Sequence, residues 1–308
     1  MKATYFPAEF VAKYSNMLGE EKEAFFSACA TKESKSIWCN SLRISPAKLK
    51  ARLEKLGWEL GQLGFHENAF ELLQSPDRPG QSEEFGQGLF NIQEKAAMIP
   101  VLALDPKAGE RVLDAFAAPG NKTLQIACLT ENTSEIVALE REPGMLRALE
   151  FNISKFGFEA FARKIDFQKY KDNAGFDKIL LDAPCSSEGL VRKRLDGLKE
   201  WSLKKVANMA KRQKKAIVKG FDLLQPGGTL VYSTCSLSPE EDEEVIGHLL
   251  LQRPEAVVLP ITLDAVNASP GIADYDGRKL SPEVEKCWRL YPHLWDCQPF
   301  FLAKVMKP

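Results

Sequence analysis

The sequence predicts an α/β protein, a parallel sheet with helices on both faces, preceded by a small α+β domain. Two observations predict it. From about residue 109, short apolar runs alternate with helical stretches, the pattern of strands joined by crossover helices. Before that, Pro76-Asp77-Arg78-Pro79-Gly80-Gln81-Ser82 followed by Gly86 and Gly88 breaks the chain's character and marks a boundary. The 308 residues suffice for one large domain and an appendage, expected at 86–308 and 1–85.

In chain order, Phe10–Ala30 reads as helix, and Pro46–Leu56 places Leu49, Leu53 and Leu56 on one face before Gly57 ends it. Arg111–Ala115 is an apolar strand that breaks at Pro119-Gly120 into a helix through Thr130. Glu135–Glu140 is a second strand, followed by a helix over Gly144–Phe156. Phe176–Asp182 has the pattern of a buried strand. A long helix spans about Trp201–Leu224, and Pro226-Gly227-Gly228 turns into the strand Thr229–Thr234. The acids after Cys235 suit the positive end of a helix expected to open at Pro239. Ligands of such sheets sit beyond the carboxyl ends of the strands, so chemistry is sought there.

Composition narrows the classes. The chain is 44% hydrophobic and 27% charged, with no apolar run long enough for a bilayer. Its start, Met1-Lys2-Ala3-Thr4-Tyr5-Phe6-Pro7, lacks a secretory h-region, so a cytoplasmic protein is expected. Seven scattered cysteines without a C-x-x-C pair argue against a disulfide framework and against a structural metal site. The net charge of −1 gives no sign of nucleic acid, yet Leu190–Lys219 holds eleven Lys/Arg against two acids. Such a stretch can follow a phosphate backbone; from charge alone a solvated helix face is the commoner meaning. A monomer is expected.

Four strand ends carry the candidate residues. Asp114-Ala115-Phe116-Ala117-Ala118-Pro119-Gly120-Asn121-Lys122-Thr123 is neither G-x-G-x-x-G nor a P-loop, but its small residues allow close backbone approach to a ligand. A tight turn with no ligand would look the same. Glu140 closes the second strand, where an acid can accept from two ribose hydroxyls, and Asp166 is placed to accept from an adenine amino group. Singly each is more often a cap or turn residue; together they point to an adenosine. Asp182-Ala183-Pro184-Cys185-Ser186 sets an acid and a thiol three apart, and Ser233-Thr234-Cys235-Ser236 puts a second thiol on a neighbouring strand end. A lone cysteine is usually an inert buried residue, but two at strand ends shift that balance.

On these motifs, with Gly88-Leu89-Phe90-Asn91-Ile92-Gln93-Glu94 and the tail Arg289-x-x-Pro292-His293 through Phe300–Lys304, the chain resembles the Sun-type (nucleolar-protein-related) RNA cytosine-5 methyltransferases over nearly its whole length. The resemblance implies a Rossmann-like, seven-stranded methyltransferase sheet with the last strand antiparallel, behind a small RNA-contacting domain. It implies that Phe116, Ala117, Ala118, Pro119, Gly120, Asn121 and Lys122, with Glu140, Asp166 and Asp182, hold S-adenosyl-L-methionine. Cys235 would be the nucleophile and Cys185 would assist release, while Asp182 would bind the N3 edge of cytosine and Lys122 would orient Asp182 or the base. Asn121 stands where glycine is usual, Phe116 where a cysteine or small residue is, Asp242 where asparagine is, and Trp38 where the arginine of an Arg-x-Asn motif is, with Asn40 kept.

With nothing after Lys304 to form a further domain, the resemblance is to the short catalytic-core members, with tRNA the first expected substrate and small-subunit rRNA the second. A DNA cytosine-5 methyltransferase would use Cys185 as nucleophile, and Thr234-Cys235 favours the RNA scheme. An adenine amino-methyltransferase would want Asn/Asp-Pro-Pro-Tyr where Asp182-Ala183-Pro184-Cys185 stands. A dinucleotide oxidoreductase lacks its glycine fingerprint. A non-catalytic RNA-binding assembly factor would be expected to have lost a thiol or a cofactor acid, and all are present.

Overall fold

The computed structural model describes residues 5–194 and 196–308. Residues 1–4 of the amino-terminal stretch and Leu195 of the basic stretch lie outside the described residues. Where one opening helix is expected, the chain forms two, α1 (Ala8–Leu18) and α2 (Lys22–Ala30), separated by a 3₁₀ turn. Gly19 causes the break, since its φ of +55° has no place in a right-handed helix. Phe10, Tyr14, Phe25 and Cys29 then bury their side chains against Val191, Leu198, Trp201, Val206, Leu237 and Tyr291, far along the chain.

The small domain is a four-stranded antiparallel sheet of order β2-β3-β1-β4, from β1 (Lys35–Cys39), β2 (Glu59–Gln62), β3 (Ala69–Gln74) and β4 (Phe90–Ile92). Helix α3 (Pro46–Lys55) covers it through Leu49 and Leu53, which pack on Ile37, Cys39, Trp58, Phe70 and Phe90. After the one-turn α4 (Glu83–Gly86), β4 enters this sheet from beyond the boundary expected after residue 85. Helix α5 (Lys95–Leu104) was not expected; it is apolar all round and buried on every side but Ala97, so it shows no amphipathic period to read.

The large sheet is built from β5 (Arg111–Asp114), β6 (Glu135–Glu140), β7 (Phe161–Lys164), β8 (Phe176–Asp182) and β9 (Leu224–Thr234), all parallel. Helices α6 (Asn121–Leu129), α7 (Pro143–Phe156) and α8 (Leu203–Asp222) make the crossovers, and α9 (Glu243–Gln252) follows β9. Beyond β9 come the short β10 (Val257–Leu259) and β11 (Ser269–Pro270), the β12–β13 ribbon (Asp274–Tyr275 with Arg278–Lys279), then β14 (Trp288–Leu290) and β15 (Phe300–Met306).

The order β11-β14-β15-β9-β8-β5-β6-β7, with β10 on the far part of β15, contains the expected seven strands with β15 antiparallel to β9. Two extra short strands bring the sheet to nine, because β15 and β14 leave backbone groups that β10 and β11 pair. Strand order reverses between β5 and β8, so their following loops part there and open a crevice. Among the described residues no helix is long and apolar enough to cross a membrane.

One helix start needs correction. The acids after Pro239 do not open a helix there, and α9 begins only at Glu243. Residues 238–242 form tight turns instead, with Glu241 N donating to Ser238 O and Glu244 N to Pro239 O, and both Glu241 and Asp242 are fully buried. Their carboxylates turn inward, Glu241 to Ser186, Gln213 and Ser236 and Asp242 to Thr234.

Candidate active site

At the end of β5, Asp114 is buried and accepts from Thr123 Oγ1 at 2.8 Å; burial pushes its carboxyl up to about 6. The chain then turns through Ala115–Gly120, held by Ala117 N to Leu139 O at 3.0 Å and Gly120 N to Ala117 O at 2.7 Å. The Ala118–Pro119 peptide is cis. Gly120 has φ +109°, and a Cβ there would sit 3.0 Å from Leu149 Cδ1, so both backbone and space demand glycine. Glu140 and Asp166 lie side by side on the next two strand ends, tied by Ile165 N to Glu140 O at 3.0 Å. Glu140 Oε1 accepts from Glu142 N and Asp166 Oδ1 from Gln168 N, so each keeps one carboxylate oxygen without a hydrogen bond in the protein. Phe116 packs edge-on against Phe167, the residue after Asp166, with ring centroids 5.5 Å apart.

Across the crevice, Asp182 ends β8. Its Oδ2 accepts from Lys122 Nζ at 2.8 Å and its Oδ1 from Ser233 Oγ at 2.8 Å. The carboxylate is thereby oriented from both sides, by α6 and by β9. A cavity of about 410 Å³ opens here, lined by Asn121, Lys122, Asp182, Ala183, Lys193, Cys235, Gln298 and Phe300, and on the small-domain side by Ser36, Ile92, Gln93 and Glu94. Burial pushes the Glu94 carboxyl up to about 7.

The two thiols meet. Cys185 Sγ lies 3.2 Å from Cys235 Sγ, a hydrogen-bonding distance, and both are free. Only Cys235 of the pair lines the cavity; Cys185 is buried behind it. The hydrogen bond from the Cys185 thiol draws the Cys235 thiol below its ordinary range against the opposing effect of burial, with help from Lys193; the same contact and burial raise Cys185. The contact therefore favours the thiolate form at Cys235, on the cavity wall, over that at Cys185.

Two buried carboxylates that sequence reasoning passed over bind the thiol loops together. Glu241 Oε2 accepts from Ser186 N and from Gln213 Nε2, each at 2.9 Å, while its Oε1 accepts from Ser236 Oγ at 3.2 Å. Each serine directly follows one of the cysteines. Glu188 accepts from Leu237 N at 2.8 Å, Ser238 Oγ at 2.6 Å, Trp201 Nε1 at 2.9 Å and the Tyr14 hydroxyl, which ties α1 to the same loops. Gly189 N donates to Cys235 O at 2.8 Å, and a Cβ on Gly189 would stand 3.1 Å from Cys235 Cβ. The only available signal for Glu241 was an acid in a run that reads equally well as a helix start.

The structure thus brings Asn121, Lys122, Asp182 and Cys235 to one cavity, with Cys185 immediately behind. Phe116, Ala117, Ala118, Pro119, Gly120, Glu140 and Asp166 lie outside that cavity, along the carboxyl edge of β5, β6 and β7. Trp38 is buried and stacks on His66, while Asn40 donates to Gly88 O at 2.9 Å and Phe156 O at 2.8 Å, clamping the small sheet to α7. Asp242 accepts from Thr234 Oγ1 at 2.7 Å beside the buried Glu243–Arg289 ion pair.

Comparison with known proteins agrees with this geometry. Residues 101–306 match the family described as 16S rRNA methyltransferase RsmB/F, and residues 6–95 match the N-terminal domain of 16S rRNA methyltransferase RsmF. The chain is 37% identical to the ribosomal RNA small subunit methyltransferase F of Klebsiella pneumoniae over 98% of its length, but spans only 64% of that relative. It is 34% identical to the tRNA (cytosine(49)-C(5))-methyltransferase of Pyrococcus abyssi, covering 97% of this chain and 96% of the relative. A crystal structure of a methyltransferase homolog from Pyrococcus horikoshii superposes with a TM-score of 0.86 at 33% identity, over 98% of this chain and 96% of that one. NSun6 from Pyrococcus horikoshii, solved with SFG, gives 0.85 at 25% identity over 98% of both chains. With the fold, both domains and close relatives in accord, the chain belongs to the RsmB/F methyltransferase family.

Proposed function

We propose that this chain methylates carbon 5 of a cytosine in RNA, with S-adenosylmethionine as methyl donor and Cys235 as covalent nucleophile. The observation that carries the reading is Cys235 on the wall of a cavity shared with the Lys122–Asp182 pair, its sulfur 3.2 Å from Cys185.

The residues present fit the donor. Glu140 and Asp166 each keep a carboxylate oxygen without a hydrogen bond on adjacent strand ends, suited to ribose hydroxyls and an adenine amino group. Phe116 through Lys122 and Asp182 complete that site. When bound, the donor supplies an electrophilic methyl on a sulfonium.

Carbon 5 of cytosine is a poor nucleophile until a thiolate adds at carbon 6. Cys235 makes that bond, and Asp182, steadied by Lys122 and Ser233, holds the N3 edge through a shared proton that passes to N3 and neutralises the charge that develops on the ring. After transfer, the proton on carbon 5 leaves and the Cys235 thioether breaks; Cys185 assists that elimination from its place against Cys235. A base must leave its stack to reach this cavity, so single-stranded or loop RNA is the substrate form. The amino-terminal unit, expected over 1–85, contacts that RNA from the cavity's other wall, and 86–308 carries the catalysis. The enzyme acts in the cytoplasm as a monomer.

The RNA is tRNA, with small-subunit rRNA the alternative; the relatives carry both names. Bisulfite sequencing of total RNA from a deletion strain identifies the cytosine that loses its methyl. Undiminished transfer by Cys235→Ala protein on that RNA would overturn the mechanism.

A further inference from the structure

Helix α8 carries a charge pattern that the site does not use. Its inner face is Val206, Ala210, Gln213, Ala216 and Ile217, all buried. Lys204, Asn208, Lys211, Arg212 and Lys215 recur on the opposite, exposed face at i, i+4, i+7, i+8 and i+11. Two other cations of the helix have structural work: Lys214 pairs with Glu244 at 2.8 Å, and Lys219 donates to the carbonyls of Gln168 and Tyr170. Among the described residues, Lys204, Lys205, Lys211, Arg212 and Lys215 have no carboxylate at ion-pair distance, and the helix holds no acid before Asp222. Lys204, Lys205, Asn208, Lys211 and Arg212 line one open groove.

Position gives the pattern its meaning. Gln213 donates to Pro184 O, just past the end of β8, so it marks the level of the sheet's carboxyl edge. The ten residues before it extend about 15 Å beyond that edge, on the side where Cys235 lies. The inner side of this overhang is covered by α1 and α2, with Phe10 against Trp201 at 5.2 Å. The outer side is left bare and cationic. The connecting segment adds Lys193, which lines the Cys235 cavity, then Arg194 and Lys199. With Asp196 and Glu200 in the same segment, these three cations are in slight excess from the cavity to the groove, in a chain whose net charge is −1.

We propose that the outer face of α8, from Lys204 to Lys215, binds the phosphate backbone of the RNA strand whose base enters the Cys235 cavity. This rests on the RNA reading above. Apart from the neighbours Lys211 and Arg212, successive positions of the stripe stand about 4.5 to 6 Å apart along the axis, comparable to the spacing of phosphates on an extended strand. Contacts of this kind position the strand and carry no sequence information.

The test is a variant with Lys204, Lys205, Lys211 and Arg212 all changed to Ala, beside a charge-matched control with Lys107, Arg253, Lys279 and Lys286 changed to Ala. Affinity for a fluorescein-labelled single-stranded RNA oligonucleotide is measured by anisotropy across a salt series. The groove variant should show a slope of log K against log salt shallower by about 2 to 3, at about 0.7 per lost phosphate contact on a single strand. Its KM for unfractionated tRNA should rise about tenfold or more, with kcat at saturating RNA and affinity for S-adenosylmethionine unchanged, and the control should behave as wild type. Equal slopes for the groove variant and wild type, or equal losses in the control, would overturn the proposal. So would binding to phosphatidylserine vesicles that the oligonucleotide fails to displace. A wild type that binds RNA through this groove yet methylates no cytosine would sink the activity reading and leave the groove standing.

Discussion

Cys185 Sγ lies 3.2 Å from Cys235 Sγ, and only the second sulfur faces the cavity that holds Asp182 and Lys122. The two loops that carry the thiols are held in this relation by buried carboxylates, Glu241 reaching the residue after each cysteine and Glu188 reaching Leu237 and Ser238. The distance between the sulfurs is therefore set by the framework that holds the two loops.

The division of labour between the thiols is testable by trapping. Cys235→Ala should lose methyl transfer by on the order of 10⁴-fold or more, and should form no adduct with RNA containing 5-fluorocytosine. Cys185→Ala should still attack and should hold the RNA as a denaturation-resistant complex even with ordinary cytosine, because the elimination has lost its helper. Gel mobility under denaturing conditions reads both. An adduct on Cys185 in the Cys235→Ala protein would instead assign the nucleophile as a DNA-type enzyme does.

The same contact sets a pH dependence. Donation from the Cys185 thiol draws the Cys235 thiol down, so its removal must let that pKa rise. Alkylation of Cys235 by iodoacetamide increases with pH as the thiolate forms. In Cys185→Ala protein the midpoint of that curve should move to higher pH, while Lys193→Ala should move it the same way by less. A midpoint that stays put in Cys185→Ala would mean that the hydrogen bond does not stabilise the thiolate.

Much of this arrangement is legible in the sequence because punctuation and chemistry coincide at the strand ends. Glu140, Asp182 and Thr234 close strands β6, β8 and β9 where the expected strand ends fall, Asp114 closes β5 one residue before the expected Ala115, and Cys235 follows Thr234 directly. What escapes is long-range pairing. Glu241 lies in an acidic run that fits a helix start, and only the fold brings Ser186, 55 residues away, to its carboxylate. Helix α5 hides for the opposite reason, since a helix buried on all sides shows no period. The small domain is only partly readable, because α1 and α2 pack on residues 191–291 and β4 comes from beyond the expected boundary.

Glu241 gives a prediction for stability with a definite sign. Burial raises its carboxyl from 4.5 to about 7, so the native state binds this proton more tightly than the unfolded chain. The stability it contributes is complete below about pH 4.5 and is lost as pH rises through about 7. Wild-type melting temperature should therefore carry a falling component between those values that Glu241→Gln removes. Glutamine can keep all three contacts, its oxygen accepting from Ser186 and Gln213 and its amide donating to Ser236. Glu241→Ala orphans those buried groups and should cost roughly 2 to 4 kcal/mol in urea unfolding. Methyl transfer should survive in Glu241→Gln and fall in Glu241→Ala. Equal kcat in the two would show that Glu241 does not position the thiol loops.

Gly120 tests the donor side of the crevice without touching a thiol. Its φ of +109° is strained for any side chain, and a Cβ would press on Leu149 Cδ1 at 3.0 Å, so Gly120→Ala must shift the turn that leads into α6. That turn separates the Phe116–Pro119 segment from Lys122, whose Nζ reaches Asp182. Affinity for S-adenosylmethionine by calorimetry should weaken about tenfold or more, and unfolding free energy should fall by roughly 1 to 3 kcal/mol. Thiol reactivity separates a local shift from general loosening. The largest effect on the Cys235 thiol is the Cys185 hydrogen bond and Asp182 acts on it less, so its iodoacetamide pH curve should move by less than in Cys185→Ala protein. A Gly120→Ala protein that binds the donor as tightly as wild type would place the donor elsewhere on the sheet edge.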